Sequence, residues 1–137
     1  MKAARNRRAE KSIPIVNFPN RLAQHFGGGL FINTLDHARY GLLFLRKGKW
    51  KNVQLISESW VKAVQEPSNA NKSYGFMWWL NDDNRYKDVP KSIYLAEGFG
   101  GNFIIIDNEH DLVMVARWLE PSKVGEFIQL VIGSVEK

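Results

Sequence analysis

The sequence contains no cysteine, which excludes several kinds of chemistry at once. Without a thiol, the chain forms no disulfide, offers no thiolate ligand to zinc and has no cysteine nucleophile. Long apolar runs are also missing, because none approaches the roughly 18 residues that a membrane-spanning helix needs. We therefore expect no membrane span. The basic start, with no apolar stretch behind it, predicts no secretory signal, and no compartment is assigned.

Histidine is scarce, and its three copies are scattered along the chain. His25, His37 and His110 stand alone, without the HxxxH or HxH spacing that places two imidazoles on one metal ion. We therefore expect surface or structural roles for them, and neither a metal nor another cofactor.

Acidic residues are rare at the start of the chain, where the net charge of +5 is concentrated. One acid, Glu10, faces five cations there: Lys2, Arg5, Arg7, Arg8 and Lys11. A basic arm can bind phosphates, but this one has no aromatic side chain on which a nucleobase could stack. We expect a solvated terminus and no nucleic-acid partner.

A chain of 137 residues predicts one domain. Residues 1–26 show little periodicity and are interrupted by Pro14 and Pro19, which indicates an irregular basic lead-in. Residues 27–137 carry the periodic segments, so we place the folded domain there.

Apolar spacing predicts three helices. The first has Thr34 as N-cap and ends at Arg46 and Lys47, with Gly48 at the C′ position; its predicted apolar positions are Leu35, Ala38, Leu42 and Leu45. The second runs from Ser57 to Pro67, with Trp60, Val61 and Val64 buried. The last begins at Pro121 and Ser122 and buries Phe127, Leu130, Val131 and Val135.

Three β-rich runs complete the pattern: residues 74–80 (YGFMWWL), 102–107 (NFIIID) and 112–119 (LVMVARWL), the last two joined by a short hairpin loop at 108–111. This order predicts an α+β fold with an antiparallel sheet flanked by helices. Strands that are apolar throughout need helices on both faces. With three helices available, we expect an incomplete core unless a second copy or a missing N-terminal half completes it.

Nucleophilic catalysis has one candidate pattern, Ser59-Trp60-Val61-Lys62, which matches S-x-x-K. The match is short, and the predicted buried face of this helix includes Trp60, so we do not expect Ser59 to be a nucleophile. The paired acids Asp82–Asp83 and Glu109–Asp111 lie in predicted loops, where carboxylates are ordinary turn residues.

The stretch YLAEGFGGNFIIID places Gly98, Gly100 and Gly101 directly before an apolar run. Glycine at a strand entrance marks a bulge or turn, or a point where a ligand approaches the backbone closely. Backbone N–H groups exposed at such a point can stabilise an oxyanion. Both interpretations stay open on these residues alone.

Five segments, in this order and spacing, resemble the C-terminal part of the serine β-lactamase-related hydrolases: GGGLFINTLDHARYGLLFLRKGKW, LISESWV, YGFMWWL, AEGFGGNFIIID and DLVMVARW. This family groups class C β-lactamases, D-alanyl-D-alanine carboxypeptidases and esterases. The resemblance covers about four fifths of the chain, from Gly27 onward. It implies the C-terminal part of a β-lactamase/transpeptidase-like αβα sandwich and acyl transfer through a serine ester.

The resemblance also implies site residues. The family's third motif, on a strand lining the site, falls on Phe99-Gly100-Gly101, and Asn102 would offer its backbone N–H to an oxyanion hole. Phe99 replaces the usual lysine or histidine, so the cation for a substrate carboxylate is missing at this position, which favours an esterase-like activity. The nucleophile and tyrosine motifs, which precede the GGGLF segment in the family, are absent.

The chain therefore resembles part of a hydrolase that would act on a small ester, amide or β-lactam-like substrate, and alone it is expected to be inactive. A second copy of the chain or a missing N-terminal half is the expected partner. The alternative is a non-catalytic interaction or self-association module of the same fold. Relatives are often periplasmic or secreted.

Overall fold

The computed structural model describes residues 32–135 and places three α-helices and seven β-strands in that range. The helices are α1 (Thr34–Leu45), α2 (Glu58–Ala63) and α3 (Val124–Val135). The strands are β1 (Lys49–Trp50), β2 (Val53–Gln54), β3 (Tyr74–Gly75), β4 (Trp78–Leu80), β5 (Tyr94–Gly98), β6 (Asn102–Asp107) and β7 (Leu112–Ala116). The predicted lead-in at 1–26 and the glycines at 27–29 lie outside the described residues.

Five strands form one sheet in the order β3-β4-β5-β6-β7, and every neighbouring pair is antiparallel. β1 and β2 form a separate hairpin. The α+β class with an antiparallel sheet and helices is confirmed. β5 was not among the predicted strands, because its five residues include Glu97 and Gly98, which are poor strand formers. Hydrogen-bonded pairing with β4 on one edge and β6 on the other makes it a strand.

The single strand predicted for residues 74–80 is wrong. The chain reverses at Phe76 and Met77, whose φ angles of 41° and 78° are unusual for bulky residues, and β3 pairs with β4 across this turn. Nothing in the local sequence indicates the turn, which normally takes Asn or Gly. Packing holds β3 in place, since a Cβ on Gly75 would lie 2.6 Å from the carbonyl oxygen of Val64.

Helix α3 covers one face of the sheet. The buried cluster on this face combines side chains of α3, β5, β6 and β7 with Val89 and Ile93 of the loop that precedes β5. The helix contributes Val124, Ile128 and Ile132. The buried face of α3 therefore differs from the predicted one. Leu130 and Val135 are exposed, and Phe127 and Val131 are only partly buried at the edge of the cluster. Because α3 is apolar on more than one side, periodicity alone does not select the buried side.

Helices α1 and α2 cover the opposite face. The cluster there contains Phe44, Leu45, Val61, Val64, Trp78, Leu80, Tyr94 and Ile106. Each face of the five-stranded sheet thus carries a buried cluster. The expectation of an incomplete core is wrong for the described residues, because α1 and α2 together cover one face of the sheet and α3 covers the other.

Helix α1 packs closely on β6 and β7 at Gly41, and of its predicted apolar positions Leu45 alone belongs to the buried cluster. A Cβ at Gly41 would lie 2.6 Å from Val113 Cγ1 and 2.8 Å from Ile104 Cγ2, so only glycine permits this close approach. Among the residues predicted to be buried, Leu35 is exposed. The side of α1 that faces the sheet is therefore the side that carries Gly41, and a count of apolar side chains does not identify that side.

The caps of α1 also differ from the prediction by one residue each. Asn33, not Thr34, is the N-cap, and its Oδ1 accepts a hydrogen bond from the Asp36 backbone N–H at 2.9 Å. At the other end Lys47 occupies the left-handed C′ position with φ 53°, and Gly48 follows it. The Gly48 N–H donates to the Leu43 carbonyl and the Lys47 N–H to the Phe44 carbonyl, the pattern of a Schellman motif.

Helix α2 begins as predicted, with the Ser57 side chain accepting from the Trp60 backbone N–H. Val61 and Val64 are buried, but Trp60 is 44% exposed and packs against Phe76 of the β3–β4 turn.

No helix within residues 32–135 is long and apolar enough to cross a membrane, in agreement with the expectation.

The loop at 81–93 is polar in sequence but is fixed by a buried side chain. Asn81 is fully buried, its Nδ2 donates to the carbonyls of Tyr86, Val89 and Pro90, and its Oδ1 accepts from the Tyr86 N–H at 2.8 Å. These bonds hold Tyr86 against the α3 side of the sheet. The loop thereby positions Arg85, which lies next to Tyr86 in the chain.

Candidate functional site

The glycine-rich stretch forms the turn between β5 and β6. Gly98 pairs with Asn102 at the end of the ladder, and Phe99, Gly100 and Gly101 connect them. The predicted third-motif residues therefore lie in a hairpin turn and not on a strand. The reason is the register, which brings Gly98 opposite Asn102 and leaves three residues to reverse the chain.

Both central glycines are required by the backbone. Gly100 and Gly101 have φ angles of 78° and 76°, in the left-handed region that side chains disfavour. A Cβ at Gly101 would lie 3.0 Å from the backbone C and N atoms of Leu119 and closer still to its oxygen. The Leu119 N–H also donates to the Gly101 carbonyl at 3.0 Å, so the turn is fastened to the chain that leaves β7.

Asn102 holds the turn through its side chain. Its Nδ2 donates to the Phe99 carbonyl at 2.6 Å, and its Oδ1 accepts from Arg117 Nε at 3.2 Å. Arg117 in turn donates from Nη1 to the Ile32 carbonyl at 3.0 Å, just before α1. This chain of bonds fixes the turn relative to α1. Sequence reasoning assigned Asn102 a backbone role and overlooked its amide, because Arg117 lies 15 residues further along the chain.

His37 lies near this network on α1. Its Nδ1 is buried and has no hydrogen-bond partner among residues 32–135. Burial and, secondly, the positive charge of Arg117 lower the pKa of His37, and Asp36 opposes them weakly. The imidazole is therefore held in its neutral form near pH 7.

The outer surface of the turn borders an open cleft of about 370 Å³. Its walls are the residues from Gly98 to Gly101, together with Trp79, Arg85, Glu97 and Pro121. Phe99 is fully exposed at this cleft, so its side chain is available to a ligand and does not belong to the core. A cleft of this size is within the range of small-molecule sites.

An ion pair forms the charged part of the cleft. Arg85 Nη2 lies 2.8 Å from Glu97 Oε2, and the two side chains are only 28% and 23% exposed. The Arg85 guanidinium lies 4.2 Å from the centre of the Trp79 ring and 5.4 Å from that of Tyr86. Neither residue was predicted for the site, because Arg85 belongs to a polar loop and Glu97 to a strand that the sequence does not reveal.

Ser59 and Lys62 do not reach this cleft. They line a separate one of about 580 Å³ formed by the end of α1, by α2 and by the β6–β7 turn. Ser59 Oγ lies 3.2 Å from Ser57 Oγ, which is the helix cap. Phe99, Gly100 and Gly101 thus line one cleft, and the S-x-x-K pattern lies at the other.

Metal ligation finds no support in the described part of the chain. No group of three or more His, Asp or Glu residues that could hold an ion occurs within residues 32–135. His110 bonds Asp107 Oδ2 through Nδ1 at 2.7 Å in the β6–β7 turn, and His25 lies outside the described residues.

Comparison with known proteins gives no match to any family model, and no curated protein sequence matches significantly.

Proposed function

We propose that this chain forms one wall of the active site of an acyl-serine hydrolase, acting on a small ester or amide. The observation that carries the proposal is the Phe99-Gly100-Gly101 turn, which exposes an aromatic side chain and glycine backbone beside a cleft and is held by Asn102. Preorganised backbone donors of this kind stabilise the oxyanion of acyl transfer. The backbone N–H of Asn102 is the proposed oxyanion donor.

The proposal includes the finer fold. Helices α1 and α2 on one face of the antiparallel sheet and α3 on the other are what the C-terminal part of a β-lactamase/transpeptidase-like αβα sandwich requires. The five segments that resemble the family occur as α1 with the β1 strand, α2, the β3–β4 hairpin, the β5–β6 hairpin and β7. On this basis we propose that the chain belongs to the serine β-lactamase-related hydrolases.

The nucleophile is proposed to come from outside this chain. Ser59 and its partner Lys62 line the cleft between α1 and α2, not the cleft beside the Phe99-Gly100-Gly101 turn. We therefore expect no turnover of nitrocefin or p-nitrophenyl acetate by the chain alone above the buffer rate. Ser59→Ala should leave this background unchanged. Turnover that Ser59→Ala abolishes would overturn the proposal.

The complementary experiment is to sequence the DNA upstream of the Met1 codon. An in-frame S-x-x-K motif would supply the nucleophile. The joined product should then hydrolyse p-nitrophenyl acetate, and replacing that upstream serine by alanine should abolish the activity. An upstream reading frame without S-x-x-K, or a joined product whose activity survives the replacement, would contradict the assignment.

A non-catalytic interaction module of the same fold is the second candidate. The β3–β4 turn favours it, because Phe76 and Met77 are exposed there beside the partly exposed Trp60. Exposed apolar groups of this kind are frequent at interaction surfaces. Light scattering coupled to size-exclusion chromatography decides it: a stable dimer that Phe76→Ser dissociates favours the module, and a monomer at all concentrations opposes it.

A further inference from the structure

We infer that the cleft beside the Phe99-Gly100-Gly101 turn binds a small zwitterion, a free amino acid or short peptide that carries both an ammonium and a carboxylate group. The inference rests on the proposed function only in treating the cleft as a ligand site, because binding requires no nucleophile. It concerns recognition, and it is measured separately from hydrolysis.

The charges of the cleft are the first argument. Arg85 and Glu97 are the charged residues among those that line it, so the lining has one positive and one negative group in contact. An anion attracted to Arg85 is repelled by Glu97, and a cation attracted to Glu97 is repelled by Arg85. A ligand with both charges complements both side chains, which makes the pair selective for zwitterions.

Unused hydrogen-bonding capacity is the second argument. A guanidinium has five N–H donors, and Arg85 engages one of them, at Nη2, with a partner among residues 32–135. Glu97 Oε1 has no partner in the same range, since the bond reaches Oε2. Arg85 can therefore donate to a ligand carboxylate while Glu97 Oε1 accepts from the ligand ammonium, without breaking the ion pair.

Preorganisation is the third argument. The guanidinium of Arg85 lies over the Trp79 ring, and the Asn81 bonds fix the loop that carries it. Glu97 is fixed near the end of the central strand β5, opposite Phe103 of β6. Because both groups are positioned before a ligand arrives, little conformational entropy is lost on binding.

The apolar walls indicate the rest of the ligand. Trp79 and Pro121 border the cleft, and the exposed Phe99 side chain lies at the same place. Such walls favour a ligand with an aromatic or other apolar side chain next to its charged groups. Phenylalanine is therefore a suitable probe, and its two singly charged analogues provide the comparison.

The test titrates phenylalanine, 3-phenylpropionate and phenethylamine into the ¹⁵N-labelled full chain, following the Trp79 indole N–H and the Gly100 and Gly101 amides by NMR. Phenylalanine should bind about tenfold or more tightly than either analogue, since each lost charge removes a charge-assisted hydrogen bond. Equal affinity for an analogue, or no saturable shift with phenylalanine, would overturn the inference.

Two variants test which side chain of the cleft recognises the ammonium group of the ligand and which recognises its carboxylate. In Glu97→Gln the preference for phenylalanine over 3-phenylpropionate should disappear, and in Arg85→Met the preference over phenethylamine should disappear. Arg46→Met is the matched control, because Arg46 also pairs with an acid, Asp111, but lies on the other cleft; it should leave all three affinities unchanged. If Arg85→Met fails to fold, Glu97→Gln and the wild-type series still decide the question. Phenylalanine binding without any ester turnover supports this inference and leaves the hydrolase proposal to its own assay.

Discussion

Replacing Gly101 by alanine is the sharpest test of the candidate site, because the backbone at this position excludes a side chain in two ways. The φ angle of 76° lies in the left-handed region, where an L-residue costs about 1–2 kcal/mol. The new Cβ would also press on the Leu119 backbone, which cannot yield as a flexible side chain would. Displacing Leu119 breaks its hydrogen bond to the Gly101 carbonyl, worth about 0.5–1.5 kcal/mol.

We therefore expect Gly101→Ala to lower the free energy of unfolding by about 1.5–3.5 kcal/mol, from the strain and the lost hydrogen bond together. The measurement is urea denaturation followed by tryptophan fluorescence, with the change read from the midpoint at constant m value. A change in m would indicate that the variant no longer unfolds between the same two states.

Two other glycines calibrate the result. Gly100→Ala shares the positive φ, but its Cβ would meet Cζ3 of the exposed Trp118 at 3.2 Å, and this side chain can move. It should cost about 1–2 kcal/mol, the conformational strain alone. Gly133→Ala, within α3 and with nothing within 4 Å, should stabilise the chain by about 0.5–1 kcal/mol. If Gly101→Ala costs no more than Gly100→Ala, the close contact with Leu119 is not what fixes the turn.

Three further perturbations test the surroundings of the site. Asn81→Ala removes a buried amide and leaves several backbone groups unpaired, so it should cost about 2–4 kcal/mol in the same denaturation assay; a loss below about 1 kcal/mol would contradict its role in fixing the loop. Because burial and Arg117 lower the pKa of His37, the folded chain binds this proton less tightly than the unfolded chain. The stability that neutral His37 contributes is present above the unfolded pKa of about 6.5 and is lost as pH falls below that value through the lower pKa of the folded chain. Arg117→Gln should raise the pKa of His37 in an NMR titration, and an unchanged pKa would refute the electrostatic contribution. Trp60→Ala should cost only about 1 kcal/mol, the worth of its ring contact with Phe76, whereas a loss of 3 kcal/mol or more would match the buried tryptophan that the sequence predicts.

Strong local signals in the sequence located several elements correctly. Ser57 begins α2 because its hydroxyl caps a backbone N–H only three residues away. The apolar runs that form β6 and β7, with the short turn between them, were also predicted, although β7 ends at Ala116 and not at Leu119, and the two strands pair over five residues each. These features depend on neighbours in the chain, so local pattern is sufficient to find them.

Other elements depend on residues that are distant in the chain. β5 becomes a strand by pairing on both edges, and the β3–β4 turn adopts positive φ at Phe76 and Met77 without a local cue. The side of α1 that meets the sheet carries Gly41, where the missing side chain lets the helix lie close to Val113. Periodicity counts apolar side chains and does not measure how closely two backbones can approach.

For the candidate site, the amino-acid sequence alone located a glycine-rich stretch directly before the β6 run, and the family resemblance singled out Phe99, Gly100, Gly101 and Asn102. Tertiary structure decided what surrounds it. Arg117 reaches Asn102 from the residue that follows β7, and Arg85 and Glu97 meet across 12 positions of the chain to form the charged part of the cleft. Glycine is conspicuous in a sequence because it adopts positive φ without the steric cost that a side chain adds, whereas charged side chains acquire a specific role only when folding brings their partners within hydrogen-bond distance.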